Sequence, residues 1–310
     1  MIDQDSALSI IDQNVIKKLI LEFESKYYRT NFMIVQHNFN SGLFEAYKTG
    51  VRLCRNEMIV FIHSDTIIAG NSELRKLVSA GEDIENVAVG HVNLPLSKED
   101  ASKINWQLAS LLSATLYKKA RGWNGSFDLV KKSAFESCDM REFSDFYTAG
   151  EDGMLMYLLS RLGKIPVSDA SSYNFNNEIK ISTKVLIRKR FQYAEAHGIL
   201  LRKRAFSVTS LPGMLWRPIS SVQFILLSYA SVYYQSIVFF LVSLLPFLIV
   251  PYAISRKWNF VRFFLHSFVL ELLSSFVVLW AIVKGFLTRN SKPKAKRSKS
   301  ISYQIIFQTN

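Results

Sequence analysis

Cysteine is nearly absent from this sequence: Cys54 and Cys138 are the only two. They form no disulfide framework and have no metal-ligand spacing, which excludes a stapled secreted scaffold and a zinc module. Cys54 falls on a helical stretch and reads as a buried side chain. The first nine residues are acidic and polar, with no basic segment leading an apolar core, so they are not a signal peptide. Zinc-finger spacing and aromatic RNA-binding motifs are missing too. The formal net charge of +13 therefore does not make the chain a nucleic-acid reader. Charge is itself missing from one long stretch, Val222 to Ile254.

The cations gather on either side of that apolar part. Lys180, Lys184, Arg188, Lys189, Arg190, Arg202, Lys203 and Arg204 precede it; Lys284, Arg289, Lys292, Lys294, Lys296, Arg297 and Lys299 follow it. Basic flanks around apolar segments suit anionic headgroups and follow the positive-inside pattern. With 310 residues there is room for one sizeable α/β domain and an appendage.

Within the first part, Glu57 to Ile62 is a short apolar run that reads as a buried strand. It ends at His63-Ser64-Asp65-Thr66. Ligands of open α/β sheets lie just beyond the carboxyl ends of such strands, so Asp65 is placed for a metal or a phosphate-bearing substrate. Its simpler role is to cap the following turn. Ala7 to Asp12 is a strand candidate, Val15 to Tyr28 is helical in spacing, and Phe32 to Gln36 is a further strand, ending in polar residues that include Asn40 and Gly42. Leu43 to Cys54 is a helix whose Ala46 and Gly50 permit close approach to a sheet. This alternation predicts a mostly parallel sheet flanked by helices. Val87 to Leu94 and Asp128 to Val130 continue as strands, Ala101 to Lys119 as a helix. The Gly122–Phe127 loop carries Trp123 and Gly125. Glu151 and Asp152 open a helix from Gly153 to Leu162 that Gly163 closes, and Lys164 to Ser168 returns as a strand.

Ile181 to Arg204 is basic and amphipathic: a solvated helix face, or a helix lying at a membrane surface. Val222 to Ile254 would run about 50 Å as a helix, so it is expected as one tilted or kinked span, and Phe260 to Val283 as a second. Glu271, the lone acid of the second span, is either a functional group or a helix–helix hydrogen-bond partner for the Tyr233–Tyr234 region or Gln235. The expected domains are residues 1–205, with 181–205 interfacial, a linker at 206–221, two transmembrane helices at about 222–254 and 260–283, and a basic cytoplasmic tail at 288–310, disordered over Asn290 to Ser300. Denser cations outside the spans than between them put the large domain and the C-terminus in the cytoplasm.

In order and spacing these motifs resemble the family 2 glycosyltransferases of the GT-A fold. The resemblance runs from Asn40-x-Gly42 and the strand ending at His63-Ser64-Asp65, through Gly125 and Phe127 to Phe135, to Gly150-Glu151-Asp152 and the trailing Arg161-Leu162-Gly163-Lys164-Ile165. It covers roughly residues 7–205. It implies a Rossmann-like domain that takes a sugar from a nucleotide-sugar donor with Mg²⁺ or Mn²⁺ as cofactor. Asp65 would be the metal ligand, with His63 as a further candidate. Asp12, Asn40, Gly42, His63, Ser64, Asp65, Arg188 and Arg190 would bind donor, and Trp123, Gly125 and Glu151 acceptor. Asp152 would be the general base, oriented by Glu151. Its simpler role is a helix-dipole partner, and that of Arg188 or Arg190 is headgroup contact. The partners implied are a polyprenyl-phosphate or lipid-linked glycan acceptor and membrane lipids, with no nucleic acid.

The sequence departs from the family where His63 replaces the first aspartate of D-x-D and where Tyr173-Asn174 stands in place of a histidine. The Q-x-x-R-W block of processive synthases is absent, with Lys189 to Tyr193 in its region. One strand–helix unit precedes Phe32 where the family has two, so the first unit is expected to be missing and Asp12 to match the end of the second strand. The alternative to an active membrane-anchored, inverting enzyme is a catalytically degenerate assembly subunit.

Overall fold

The computed structural model describes residues 18, 21–22, 33–37, 42–63, 65–95, 104–111, 119–146, 149–174, 180–206, 211–258, 264–288 and 303–308. In chain order the elements are β1 (Met33–His37), α1 (Leu43–Leu53), β2 (Met58–Ile62), β3 (Thr66–Ile68), α2 (Glu73–Gly81), β4 (Ala88–Leu94), α3 (Trp106–Leu111), β5 (Ala120–Gly122), β6 (Phe127–Lys131) and α4 (Lys132–Glu136). A 3₁₀ turn at Met140–Asp145 leads to α5 (Glu151–Ser160), β7 (Val167–Asn174), α6 (Thr183–Arg202), α7 (Leu211–Tyr233), α8 (Ile237–Trp258), α9 (Phe264–Leu287) and β8 (Tyr303–Gln308). They fall into two compact units, residues 1–55 with 291–310, and residues 56–290.

In the first unit β1 pairs antiparallel with β8, from Met33↔Gln308 to His37↔Tyr303. Strand β8 lies in the C-terminal tail, beyond the Asn290–Ser300 segment expected to be disordered, which falls outside the described residues. The Ala7–Asp12 strand lies outside the described residues, as does most of the Val15–Tyr28 helix, whose positions 18, 21 and 22 are helical.

The second unit holds a six-stranded sheet ordered β2-β6-β4-β7-β3, with β5 on β4. It is mixed, which corrects the expectation of a mostly parallel sheet. Only β4 and β7 pair in parallel, whereas β2–β6, β4–β6, β4–β5 and β3–β7 are antiparallel. The reason is an insertion in space. β2, β4 and β7 all run the same way, but β6 slips between β2 and β4 in the opposite sense and takes both as partners. The alternation in sequence captured strand direction, not neighbours. The carboxyl ends of β2, β4 and β7 consequently share one edge of the sheet. Leu77 of α2 closes a core against Val89, Phe127, Leu129 and Ala170, all fully buried. Glu73 ties α2 to β7 by accepting from Ser171 N at 2.6 Å and Ser171 Oγ at 3.0 Å.

The apolar part departs from expectation. Val222–Ile254 is not one helix: α7 ends at Tyr233, and most of the stretch read as a linker already belongs to it, Pro218 included. Gln235 adopts φ 51°, while Ser236 N donates to Ser231 O at 3.0 Å and Tyr234 N to Ala230 O at 2.9 Å. This is a Schellman-type stop built on a non-glycine left-handed residue, which explains why neither glycine nor proline flags the break. Among the described residues one helix segment, Phe268–Leu287, is long and apolar enough to cross a membrane, and Ile237–Leu248 is a shorter apolar stretch. Two spans are therefore not what the helices show.

Helices α7, α8 and α9 pack around Phe224, whose ring meets Phe247 edge-on at 5.9 Å and Phe276 at 6.0 Å. Glu271 of α9 is buried, and its partners are not the tyrosines or Gln235. Arg190 of α6 and Ser110 of α3 bond one of its oxygens, Ser110 Oγ at 2.9 Å, and Arg217 Nε bonds the other at 3.2 Å. Removing one member of such a buried charge network leaves the others unpaired. Glu271→Ala should cost about 3–5 kcal/mol, read as a lowered midpoint in denaturant melts of the purified chain, with Glu271→Gln losing less.

Candidate functional site

The β2 strand carries Ile59 and Phe61 inward and Met58 and Ile62 outward, held in register by β6 along its whole length. Past its end, His63 N donates to Ser126 O at 3.0 Å, and Thr66 N donates to His63 O at 3.1 Å. That bond closes a four-residue turn and sets Asp65 on its exposed tip. His63 is half-buried beneath it. The carboxylate thus stands at the sheet edge where the strands' carboxyl ends meet, open to solvent.

The loop beside it is shaped from below. Asp128 of β6 is fully buried, and it accepts from Asn124 N at 2.7 Å, Gly125 N at 2.5 Å and the His91 Nδ1 at 2.8 Å. Asn124 Oδ1 in turn accepts from Ser126 N at 2.9 Å and Ser126 Oγ at 2.6 Å. Gly125 takes φ 82°, a conformation that favours glycine. Trp123 is buried at the start of this loop. Sequence reasoning missed Asp128 and His91 as organisers; the available signal was a lone ionisable residue inside each apolar strand, Phe-Asp-Leu-Val and Val-Gly-His-Val.

Glu151 and Asp152 occupy the first turn of α5, Glu151 buried and Asp152 half-buried. Gly150 precedes them at φ 92°. A side chain there would meet Ala196 Cβ at 2.7 Å, and one at Gly153 would meet Leu200 Cδ1 at 3.2 Å. These two glycines let α6 lie against the start of α5. Tyr193, one turn ahead of Ala196 on α6, is thereby brought to the same place. Its phenol is pushed above the ordinary tyrosine value by burial, then by the Asp152 carboxylate, then by Asp65. Three elements distant in sequence thus bring two carboxylates within electrostatic reach of one phenol. Tyr193 lay in the stretch noted for its missing synthase block, without a role.

Other predicted residues fall elsewhere. Arg188 is exposed on α6. Arg190 is buried and bonded to Glu271, Ser274 and Ser110, so its guanidinium is committed to the helix bundle. Gly42 caps α1 at φ 90° within the first unit. Asp12, Asn40 and Ser64 lie outside the described residues. Among the described residues no group of three or more His, Cys, Asp or Glu side chains is arranged to hold a metal ion.

Residues 10–136 match the family model described as glycosyl transferase family 2. The match takes in under half of the chain; over those residues the chain resembles the family 2 glycosyltransferases, which supports sugar transfer as its activity class. The matched segment includes β2, Asp65 and the Asp128 loop and stops before Glu151. No curated protein matches the chain significantly. Among solved structures, it is similar to the mannosyltransferase PcManGT from Pyrobaculum calidifontis in complex with GDP-Man and Mn²⁺. The identity is 13%, over 91% of this chain and 76% of that one, with a TM-score of 0.47.

If Tyr193 shares its surroundings with both carboxylates, removing one negative charge should ease its ionisation. Ultraviolet titration should find a phenol that ionises above the ordinary range and is absent in Tyr193→Phe. In Asp152→Asn the same phenol should titrate at lower pH.

Proposed function

We propose that this chain is a membrane-associated, inverting glycosyltransferase that moves a sugar from a nucleotide-sugar donor to a lipid-linked or glycan acceptor at the cytoplasmic face. The single observation that supports it is that the Asp152 and Asp65 carboxylates both reach the Tyr193 phenol electrostatically, beside a family 2 match over residues 10–136.

Asp152 is the general base. An acceptor hydroxyl attacks the anomeric carbon from the side opposite the leaving diphosphate. Its proton passes to an Asp152 oxygen as the new C–O bond forms. The bond to the diphosphate breaks, and its electron pair stays on the diphosphate oxygen. One displacement inverts the anomeric centre. Glu151, buried in the same first turn of α5, orients the base or the acceptor. The loop of Trp123 and Gly125, fixed by Asp128, forms the acceptor side. Arg188 is the better candidate for a diphosphate clamp, since the Arg190 guanidinium is engaged with Glu271.

One exposed carboxylate is a thin protein ligand set, and it fits a hard cation held chiefly by substrate phosphates and water. Asp65, with His63 beside it, would hold Mg²⁺ or Mn²⁺ there, and the cation would neutralise the diphosphate. The donor role extends to Asp12, Asn40, Gly42 and Ser64. The catalytic domain takes in residues 1–205, and the apolar helices beyond it anchor the protein, with the C-terminus on the cytoplasmic side. His63 in place of the family's aspartate is the one observation favouring a degenerate subunit instead, and turnover decides between them.

Asp65→Ala should abolish divalent-dependent binding of a nucleotide sugar. Calorimetry with Mn²⁺ and with chelator checks it, and equal binding in both would remove the metal role. Asp152→Asn should spare donor binding while cutting turnover by roughly 10² to 10⁴. Near-normal turnover would point to an acceptor that is already ionised, such as a polyprenyl phosphate.

A further inference from the structure

Length and composition qualify α9 to cross a bilayer, but its packing forbids that. Helix α9 lies side by side with α6 and parallel to it. Arg190 meets Glu271 and Ser274, Gly198 abuts Ile282, and Arg202 donates to Gly285 O at 3.1 Å. A Cβ on Gly198 would come within 2.1 Å of Ile282 O, and one on Gly285 within 2.0 Å of Glu195 O. The contact is backbone to backbone and admits no lipid. It extends over the Arg190–Arg202 stretch of α6, roughly 18 Å at helical rise. The other side of α6 is held by α5 at Gly150 and Gly153. Helix α6 is therefore clamped between the candidate active site and α9.

A bilayer crossed by α9 would have to enclose α6 as well. It would take in Glu195 with its partner Lys284, and Arg202 and Lys203 with their partners Asp145 and Glu142. Those ion pairs lie level with the last turns of α9, near a span's end, but the start of α5 packed on the other side of α6 would have to enter the bilayer too, with its Glu151 and Asp152 carboxylates. Yet the side of α9 turned from α6 is apolar and exposed, at Val269, Leu273, Trp280 and Leu287. On α7, Trp216, Ile219, Val222, Leu226, Tyr229 and Tyr233 form a second exposed stripe at helical spacing. An open apolar groove of about 460 Å³ between Pro218 and Leu227 lies in that stripe. Exposed Lys184 and Arg188 on α6, and the five cations from Lys292 to Lys299, supply charge for anionic headgroups. Apolar faces ending in Trp and Tyr and accompanied by cations are the chemistry of helices that lie in the interface plane.

We propose that the α7–α9 bundle lies flat in one leaflet of an anionic bilayer, through the exposed stripes of α7 and α9, and does not cross it. This rests on the membrane association proposed above and replaces the two-span topology. It holds the Asp65–Asp152–Tyr193 site close to the headgroups, on the same side as every helix end.

The test uses the full chain with Cys54→Ser and Cys138→Ala, and single cysteines at the exposed positions Glu82, Gln235 and Thr288 and at Trp258, the last residue of α8. An impermeant maleimide is applied to intact expressing cells and again after permeabilisation. All four sites should be protected in intact cells and labelled once the cells are opened. Labelling of Gln235, Trp258 or Thr288 from outside, with Glu82 protected, would establish a crossing and overturn the proposal. In parallel, Leu226→Glu and Trp280→Glu should each weaken sedimentation of the purified chain with phosphatidylglycerol vesicles by at least about tenfold. If they instead split a dimer and leave vesicle binding unchanged, the stripes face a second copy of the chain and the lipid assignment is wrong. Neither readout requires turnover, so failure here leaves the assignment of sugar transfer standing, and loss of that assignment leaves this one intact.

Discussion

Helix α6 is the member on which both halves of the second unit depend. Its packing needs small residues on both sides: Gly150 and Gly153 beneath Ala196 and Leu200, Gly198 and Gly285 where its backbone meets α9. Dispersion at such short range favours a single register, and the Arg190–Glu271–Arg217 cluster fixes the same register electrostatically. A buried ion pair of this kind is weak evidence for stability, and its best-attested use is to set register. Here it selects one alignment of apolar helices that could otherwise slide. That alignment also sets Tyr193 within electrostatic reach of Asp152.

The sheet edge is organised by a different device. Asp128 uses one oxygen on His91 and the other on two backbone N–H groups of the Trp123–Ser126 loop. A carboxylate buried without exposure is tolerable because its acceptor capacity is met by that set. The arrangement turns a loop that could be mobile into a fixed wall beside Asp65. Charge is placed under the loop where it shapes the backbone, while the carboxylate on the turn above stays solvated.

Much of this was legible in the residues. The β2 strand, its polar terminus and the start of α5 were visible because apolar runs and polar stops mark them directly. The sheet order was not, because periodicity reports direction and burial but not which strand lies next to which; β6 inserts between β2 and β4 without a local signal. The break after Tyr233 was hidden for a related reason. Gln235 adopts a left-handed conformation that sequence rules assign to glycine. Arg190 was misplaced on the diphosphate because a basic amphipathic helix does not declare which of its cations faces inward. The partner that decides it, Glu271, lies 81 residues away.

The pairing of β1 with β8 makes an early strand wait for one made some 270 residues later. On a ribosome adding 5–20 residues per second, β8 emerges roughly ten to fifty seconds after β1. During that interval β1 lacks the partner it has in the finished chain, and an unpaired strand edge invites other chains. Translation speed and chaperone access thus bear on the yield of this unit more than its small size implies.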